Sequence, residues 1–445
     1  MPTVANIPGC PEEKLLTIRS FCQNSLEVER GDVFFALPGK KVAGSSFLQE
    51  VAARGAVAAV VPKEYQGDNF GLFLFHSENV LLSLQELAKS SHEKNCRRVV
   101  GVTGSVGKTS TKEFLATLLE KKYRVGKSPG SKNSQTTLPL NLLNLQGDLL
   151  VLEMGMSEKG EIARLVEIAP PEIALITKIA PAHIANFPEG LLGIAKAKCE
   201  IFSHPTTRAV VVPYSLLDFV RPNKEFLTFS TENPKADFFL QPERENACFW
   251  EKGKRVALFP ISLKERHFQE DFLAAAAVAR WLGLSWEEIE ERASFLQLPK
   301  MRFEKVVVGK VVLINDAYNA NPDSMSAALE SLPQAESGGR VIAVLGEMAD
   351  QGSFSKKNHW DIGKKAAAVA DLLFCLGEET RPLLNAFLEE GKKGEVFFEK
   401  QKLFSSLRQM VKKNDIVLIK GKRSLEMDEI FYWMVQEIKR ENGDL

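Results

Sequence analysis

Residues 98–114 read RVVGVTGSVGKTSTKEF, and the rest of the chain is best read outward from them. An apolar run, Val99 to Val102, ends in the turn Thr103–Gly104–Ser105–Val106–Gly107. Lys108, Thr109 and Ser110 follow at once, then a helix-like segment from Thr111 to Leu119. Strand, glycine loop, Gly-Lys-Thr and helix is the layout of a phosphate-cradling loop. Gly104 and Gly107 let backbone N–H groups turn inward around phosphate oxygens, where side chains would block the approach. The helix that starts there aims its free N–H groups and positive dipole end at the same anion. Lys108 can then reach the β- and γ-phosphates, and the Thr109 hydroxyl can ligate Mg²⁺. The spacing departs from the usual pattern, because Val102 stands where its first glycine belongs and Gly101 lies one residue early. A glycine-rich turn with a chance Gly-Lys-Thr is the plain alternative. The flanking strand and helix favour a nucleoside triphosphate site.

At 445 residues the chain is long for one core and suggests about two to four domains. Its hydrophobic share of 44% and charged share of 26% are those of an ordinary globular protein. Lys plus Arg equals Asp plus Glu at 57 each, so no global field draws nucleic acid or an anionic membrane. Basic pairs such as Lys356–Lys357 and Lys412–Lys413 are scattered. The six cysteines, Cys10, Cys22, Cys96, Cys199, Cys248 and Cys375, form no CxxC or zinc spacing and read as separate reduced thiols. The N-terminus lacks the basic start and apolar core of a signal peptide, and no apolar run nears the ~20 residues that span a bilayer. A cytoplasmic, enzyme-like protein is expected.

Before the loop, Asp32–Leu37, Ala56–Val61 and Leu72–Phe75 are strand-like. Phe47–Arg54 and Leu81–Ser91 have helical spacing, so a small α/β domain comes first. From Val99 to about Leu298 strand and helix alternate, which argues for a mostly parallel sheet covered on both faces. Leu149–Leu152 ends at Glu153, and Ile173–Ile176 leads to His183. Ligands in open α/β sheets collect beyond the carboxyl ends of strands, so both residues fall in range of the phosphate loop. Glu153 there suits Mg²⁺, with a water-facing or lysine-paired carboxylate as the alternative. His183 could equally be structural. Lys196 and Lys198 lie on a partly apolar helix, Leu191–Phe202, where a lysine defaults to solvent. HFQEDFLAAAAVARWL within 264–282 is helical packing, broken at Leu298–Pro299. Val306–Ile314 then turns at Gly309–Lys310. Leu313–Leu329 runs from a strand ending at Asp316 through an Asn/Pro-rich loop to a helix capped by Asp323 or Ser324. Val341–Leu345 with Gly346, Leu372–Leu376 with Gly377, and Ile416–Ile419 with Lys420–Gly421 extend a second doubly wound sheet.

The set TGSVGKTSTKEF, EMGMSEKGEIARL, ITKIAPAHIANF, AKAKCEIF, NDAYNANPDSMSAAL, AVLGEMADQG and LIKGKRSLEMDEI resembles the Mur ligases. The likeness covers the central and C-terminal parts well and the N-terminal part weakly. It implies an α/β protein of three domains. Residues 1–97 would form a small α/β domain binding a UDP-sugar substrate, and 98–299 a central phosphate-loop domain with a mostly parallel sheet. Residues 300–445 would form a Rossmann-like domain closing on ATP and D-Ala-D-Ala. The implied activity is ATP- and Mg²⁺-dependent ligation of D-Ala-D-Ala to UDP-MurNAc-tripeptide through an acyl phosphate. The protein would be a monomer that neither binds nucleic acid nor inserts in a membrane.

Carried over by position, the resemblance puts Gly104, Ser105, Val106, Gly107, Lys108, Thr109 and Ser110 on ATP. It adds Arg302 at the domain junction and Asp316, Tyr318 and Asn319 from the closing loop. Thr109, Glu153, His183 and a carboxylated Lys198 would hold metal, with Lys108, Lys198 and His183 in catalytic roles. Lys420 and Arg423 fall in the family's KG-x-R segment. Ser25 and Asn133 would touch substrate. The chain departs from the family at Asn24–Ser25–Leu26 for Asp-Ser-Arg and Ala43–Gly44–Ser45 for Asp-Gly-His. It departs again at Lys132–Asn133–Ser134 for Asn-Asn and at His267–Phe268–Gln269–Glu270–Asp271 for His-Asn-x-x-Asn.

Overall fold

The computed structural model describes residues 18–39, 42–219 and 221–442. Cys10 and the N-terminal stretch read for a leader lie outside them. The other five cysteines are all free thiols. No described helix is long and apolar enough to cross a membrane.

Three sheets follow one another along the chain. The first has four parallel strands, Phe21–Cys22, Val33–Phe35, Ala58–Pro62 and Phe73–Ser77, side by side in chain order. The helix Val80–Asn95, capped by Asn79 through the Leu82 amide, leads to the second sheet. That sheet has nine strands, with Arg98–Thr103 between Leu149–Glu153 and Ile173–Ile176. The third has six strands, with Val311–Asn315 and Ile416–Lys420 adjacent and parallel near one edge.

Two features of the central sheet differ from the alternation read in the sequence. The phosphate-loop helix spans Lys108–Leu119, three residues earlier than its apolar pattern begins. Between Ala209 and Phe259 the described residues form no α-helix, only strands and a 3-10 turn, and the last three strands pair antiparallel. The reason is local. Arg244, Lys252 and Gly253 take left-handed φ of 57°, 49° and 77°, which turns the chain straight back in hairpins. In the third sheet, the helix Pro322–Glu330 is capped by Asn321, not by Asp323 or Ser324. Asn321 accepts from the Ser324 amide while Ser324 caps back, and Pro322 occupies the first turn, where its missing N–H costs nothing.

The cores are shared between layers. Phe35 and Leu84 from the N-terminal part pack in one cluster with Leu142 and Leu152 of the central part. Phe268 and Phe272 of the central helix Arg266–Trp281 cluster with Ile314 and Met325 of the C-terminal part. This packing brings the carboxyl ends of the central and C-terminal sheets face to face across a cleft.

Candidate active site

The phosphate loop is fastened to the segment that follows the strand Ile173–Ile176. Thr177 Oγ1 donates to Val106 O at 2.5 Å, Ser105 Oγ donates to Ala180 O at 2.8 Å, and the Ser105 amide reaches Lys178 O at 2.7 Å. Gly104 and Gly107 have φ of 151° and 87°. A Cβ on the first would strike Thr177 Oγ1, and on the second the Asp271 carboxyl. Both glycines are therefore required by space as well as by conformation. Lys108 Nζ folds back to donate to Gly104 O at 2.9 Å. Burial holds its pKa below the usual lysine value, against the pull of Glu153.

Glu153 ends its strand 1% exposed, with its amide on Ser128 Oγ at 2.9 Å. Its Oε2 accepts from Thr109 Oγ1 at 2.9 Å and its Oε1 from Asn133 Nδ2 at 2.6 Å, while Ser131 Oγ lies 3.1 Å from Thr109 Oγ1. Every direct partner is neutral, and among the described residues no Lys, Arg or His pairs with this carboxylate. A buried carboxylate beside a hydroxyl, with no cation of its own, fits a hard divalent ion. Among the described residues no three His, Cys, Asp or Glu side chains form a protein-only metal cage. Such an ion would complete its shell with phosphate and water oxygens, which is how magnesium is commonly held.

The residue that supports this corner, Lys112, was not among those expected from the sequence. Lys112 is 0% exposed, yet Nζ donates to Ser128 O at 2.5 Å and Gly130 O at 2.6 Å and pairs with Glu113 at 2.9 Å. It sits one helical turn after Lys108 and anchors the loop that carries Ser131 and Asn133. Its i+4 spacing from Lys108 was the available signal.

His183 takes a left-handed φ of 55° just before the 3-10 turn Ile184–Asn186. Burial lowers its pKa, with Asp350 pulling the other way and the charges of Lys108 and Lys198 adding to the lowering. Lys196 is exposed and pairs with Glu189 at 3.0 Å, as a lysine on this helix would by default. Lys198 does the opposite. It is 2% exposed on a helix whose Ile194, Ala195 and Ala197 are also buried, and among the described residues its ammonium has neither a hydrogen-bond nor an ion-pair partner. Burial drives its pKa well below the usual value, and the nearby Lys108 charge drives it the same way.

The C-terminal sheet supplies the opposite wall. The Arg302 guanidinium carbon lies 4.2 Å from the centre of the Tyr318 ring, and Nη2 is 3.5 Å from Thr109 Oγ1. Its Nε is buried without a hydrogen-bond partner. Lys420, 1% exposed, pairs with Asp316 Oδ2 at 2.6 Å and donates to Asn319 O at 3.0 Å. Lys178 and Asp323 meet at 3.3 Å across the rim.

A cavity of about 310 Å³ gathers Ser105–Thr109, Asn133, Glu153, His183, Arg302, Tyr318 and Asn319. A smaller one, about 50 Å³, lies behind the loop with Ser110, Asp316, Lys420, His267 and Asp271 on its walls. Burial raises the Asp271 carboxyl well above its usual range, with Glu270 adding to the effect, and lowers His267 to about 4. A third cavity, about 940 Å³, opens within the C-terminal part and shares Tyr318 and Asn319 with the first. Lys198 and Ser25 line none of these three. Ser25 is buried in the 3-10 turn Ser25–Glu27, although Glu27 in the same turn reaches Lys132 at 2.9 Å.

Residues 102–279 match the Mur ligase middle domain, and residues 301–423 match the Mur ligase, glutamate ligase domain. A UDP-N-acetylmuramoyl-tripeptide–D-alanyl-D-alanine ligase of Synechocystis is 31% identical, with 95% of this chain and 93% of that protein covered. A Bacillus subtilis protein of the same name is 30% identical over 96% of this chain and 94% of its own. The crystal structure of MurF ligase from Thermotoga maritima in complex with ADP superposes with a TM-score of 0.79 at 28% identity. It covers 96% of this chain and 100% of that one.

Proposed function

The chain belongs to the Mur ligase family, and on that premise we propose that it joins D-alanyl-D-alanine to UDP-MurNAc-tripeptide in an ATP-dependent, ADP-forming reaction. The supporting observation is a single cleft holding a phosphate loop, a buried carboxylate without a cation, and an arginine from the opposite lobe. Phosphoryl transfer demands that arrangement, because catalysis there is mostly positioning and charge stabilisation.

In this reading residues 1–97 receive the UDP-sugar, 98–299 hold ATP, and 300–445 close over it and present the dipeptide. The loop amides of residues 104–110 and Lys108 bind the phosphates, and Arg302 neutralises the transferring group from the other side. Thr109 and Glu153 would hold magnesium, which would supply positive charge to the phosphate oxygens. A terminal carboxylate oxygen of the tripeptide takes the γ-phosphoryl group as its bond to the β,γ-bridging oxygen breaks, giving an acyl phosphate and ADP. The dipeptide amine attacks the acyl carbon, and the tetrahedral adduct collapses with loss of phosphate. His183 and Lys198 would hold a second metal, Lys198 as a carbamate formed when its neutral amine adds carbon dioxide and releases a proton. A lysine held neutral by burial is suited to that addition. Asn133 and Ser25 are assigned to the tripeptide substrate. The reaction takes place in the cytoplasm and needs one copy of the chain.

The test is phosphate release by the purified protein given UDP-MurNAc-tripeptide, D-Ala-D-Ala, ATP and Mg²⁺. Release is expected only with both acceptor and dipeptide present. Release that ignores the dipeptide overturns the assignment.

A further inference from the structure

One contact between the lobes has no place in the scheme above. Asp350 Oδ2, from the loop between the strand Val341–Gly346 and the helix Ser355–Val369, lies 2.8 Å from His183 Nδ1 of the central lobe. The approach is out of line for a hydrogen bond, and among the described residues this ring nitrogen has no hydrogen-bond partner, so the contact is one of placement. Asp350 lines the C-terminal cavity and His183 the phosphate cavity, so the pair stands at the seam where the two meet.

The loop is built to hold Asp350 there. The buried His359 accepts from the Met348 amide at 3.2 Å and is itself fixed by Ser355 O at 2.8 Å. The Ala349 amide donates to Ala320 O at 3.0 Å. The buried Gln351 donates to Ala349 O at 2.6 Å and accepts from Asn358 at 2.6 Å. Asp350 is forced to a left-handed φ of 52° and His183 to 55°. Non-glycine residues in that region cost energy and persist where their surroundings over-determine them. Two such residues meet here from separate lobes. Beside them, a Cβ on Gly352 would press into Ala185, so the backbones also fit closely at this point.

We propose that Asp350 is a positioning residue of the ligase cleft: its carboxylate, delivered by the C-terminal lobe, seats on His183 and fixes that ring beside the phosphate loop only while the two lobes are together. The inference adds to the proposed reaction but does not need its substrates. It makes the state of His183 depend on lobe closure, so the central lobe alone holds an unfinished site.

Hydrogen exchange of the full chain with ADP and Mg²⁺ tests it without the ligase assay. Nucleotide is expected to protect segments 181–187 and 348–354 together. Asp350→Asn should speed exchange in 181–187 by about fivefold, the size of one partly exposed polar contact, and His183→Asn should do the same in 348–354. The double variant should be no faster than either single one. A merely local role for either residue would loosen only its own segment. Confinement of each effect to its own loop, additive effects in the double variant, or no shared protection in the wild type would each overturn the proposal. In turnover, Asp350→Asn should lower kcat while leaving the KM for ATP within about twofold, since the phosphate contacts stay intact. A changed KM for ATP at constant kcat would also overturn it. A chain inactive with D-Ala-D-Ala but showing the reciprocal exchange effect would sink the substrate assignment alone.

Discussion

The surroundings of Lys112 and Lys198 bury an ammonium in opposite ways. Both side chains are almost wholly inaccessible, at 0% and 2% exposure. Around Lys112 two carbonyls and Glu113 replace the lost water, and the group ties helix Lys108–Leu119 to the loop that carries Ser131. Around Lys198 no described side chain or carbonyl takes the place of the lost water, and burial pushes the amine toward its neutral form. Lys420 belongs with Lys112, because Asp316 and the Asn319 carbonyl receive it. Burial alone therefore says little about a lysine. A partnered one is a structural strut, while an unpartnered one stores a cost that chemistry can use.

Four experiments press on that contrast. The reference is Lys108→Ala, expected to lower turnover about a thousandfold in phosphate-release kinetics, since loop amides cannot replace a mobile charge on the γ-phosphate. Lys112→Met should then cost about 3 kcal/mol in urea unfolding, because Ser128 O, Gly130 O and Glu113 lose their common donor. A loss below about 1 kcal/mol would place Lys112 among the dispensable groups and break the contrast. Lys198→Met should do the reverse, lowering turnover about a hundredfold while raising stability by about 1 kcal/mol. Short-chain carboxylic acids should partly restore Lys198→Ala, and a failure to rescue would remove the carbamate from the scheme.

The smallest effect is the pH dependence of stability. The folded pKa of Lys198 lies below its unfolded value, so between the two the unfolded chain binds more protons and stability rises with pH. The penalty is absent above the ordinary lysine pKa of about 10.4 and grows as pH falls toward the folded value. Urea midpoints at rising pH should show a slope in the wild type, at most about 1.4 kcal/mol per pH unit, that Lys198→Met reduces. Lys108 and Lys420, also lowered by burial, contribute to both proteins and cancel in the difference. Equal slopes would mean that Lys198 is not a neutral free amine in the folded chain.

Much of the fold was legible because local rules govern it. The apolar runs gave Ile173–Ile176 and Leu372–Leu376 to the residue, and Pro299 and the Gly309–Lys310 turn marked where a new sheet begins. The hairpins at 238–259 were missed because their turns rest on Arg244 and Lys252 in left-handed geometry, which no Asn-Gly or Asp-Gly pair announces. In the site, Thr109, Glu153 and Arg302 could be named from motif and resemblance. Ser25, named from the resemblance, is buried in its turn and lines none of the three cavities. Lys112 and Asp350 were not named, since each matters through a partner distant in the chain.

The linear chain by itself determined the phosphate loop, the strand ends that point at it and the family likeness, because glycine spacing, apolar period and residue type are properties of neighbours in sequence. Only the tertiary structure decided which of two lysines two residues apart faces water and which is stranded in the core. It also decided that Asp350 meets His183, because desolvation and long-range pairing depend on what the remainder of the protein packs around a group.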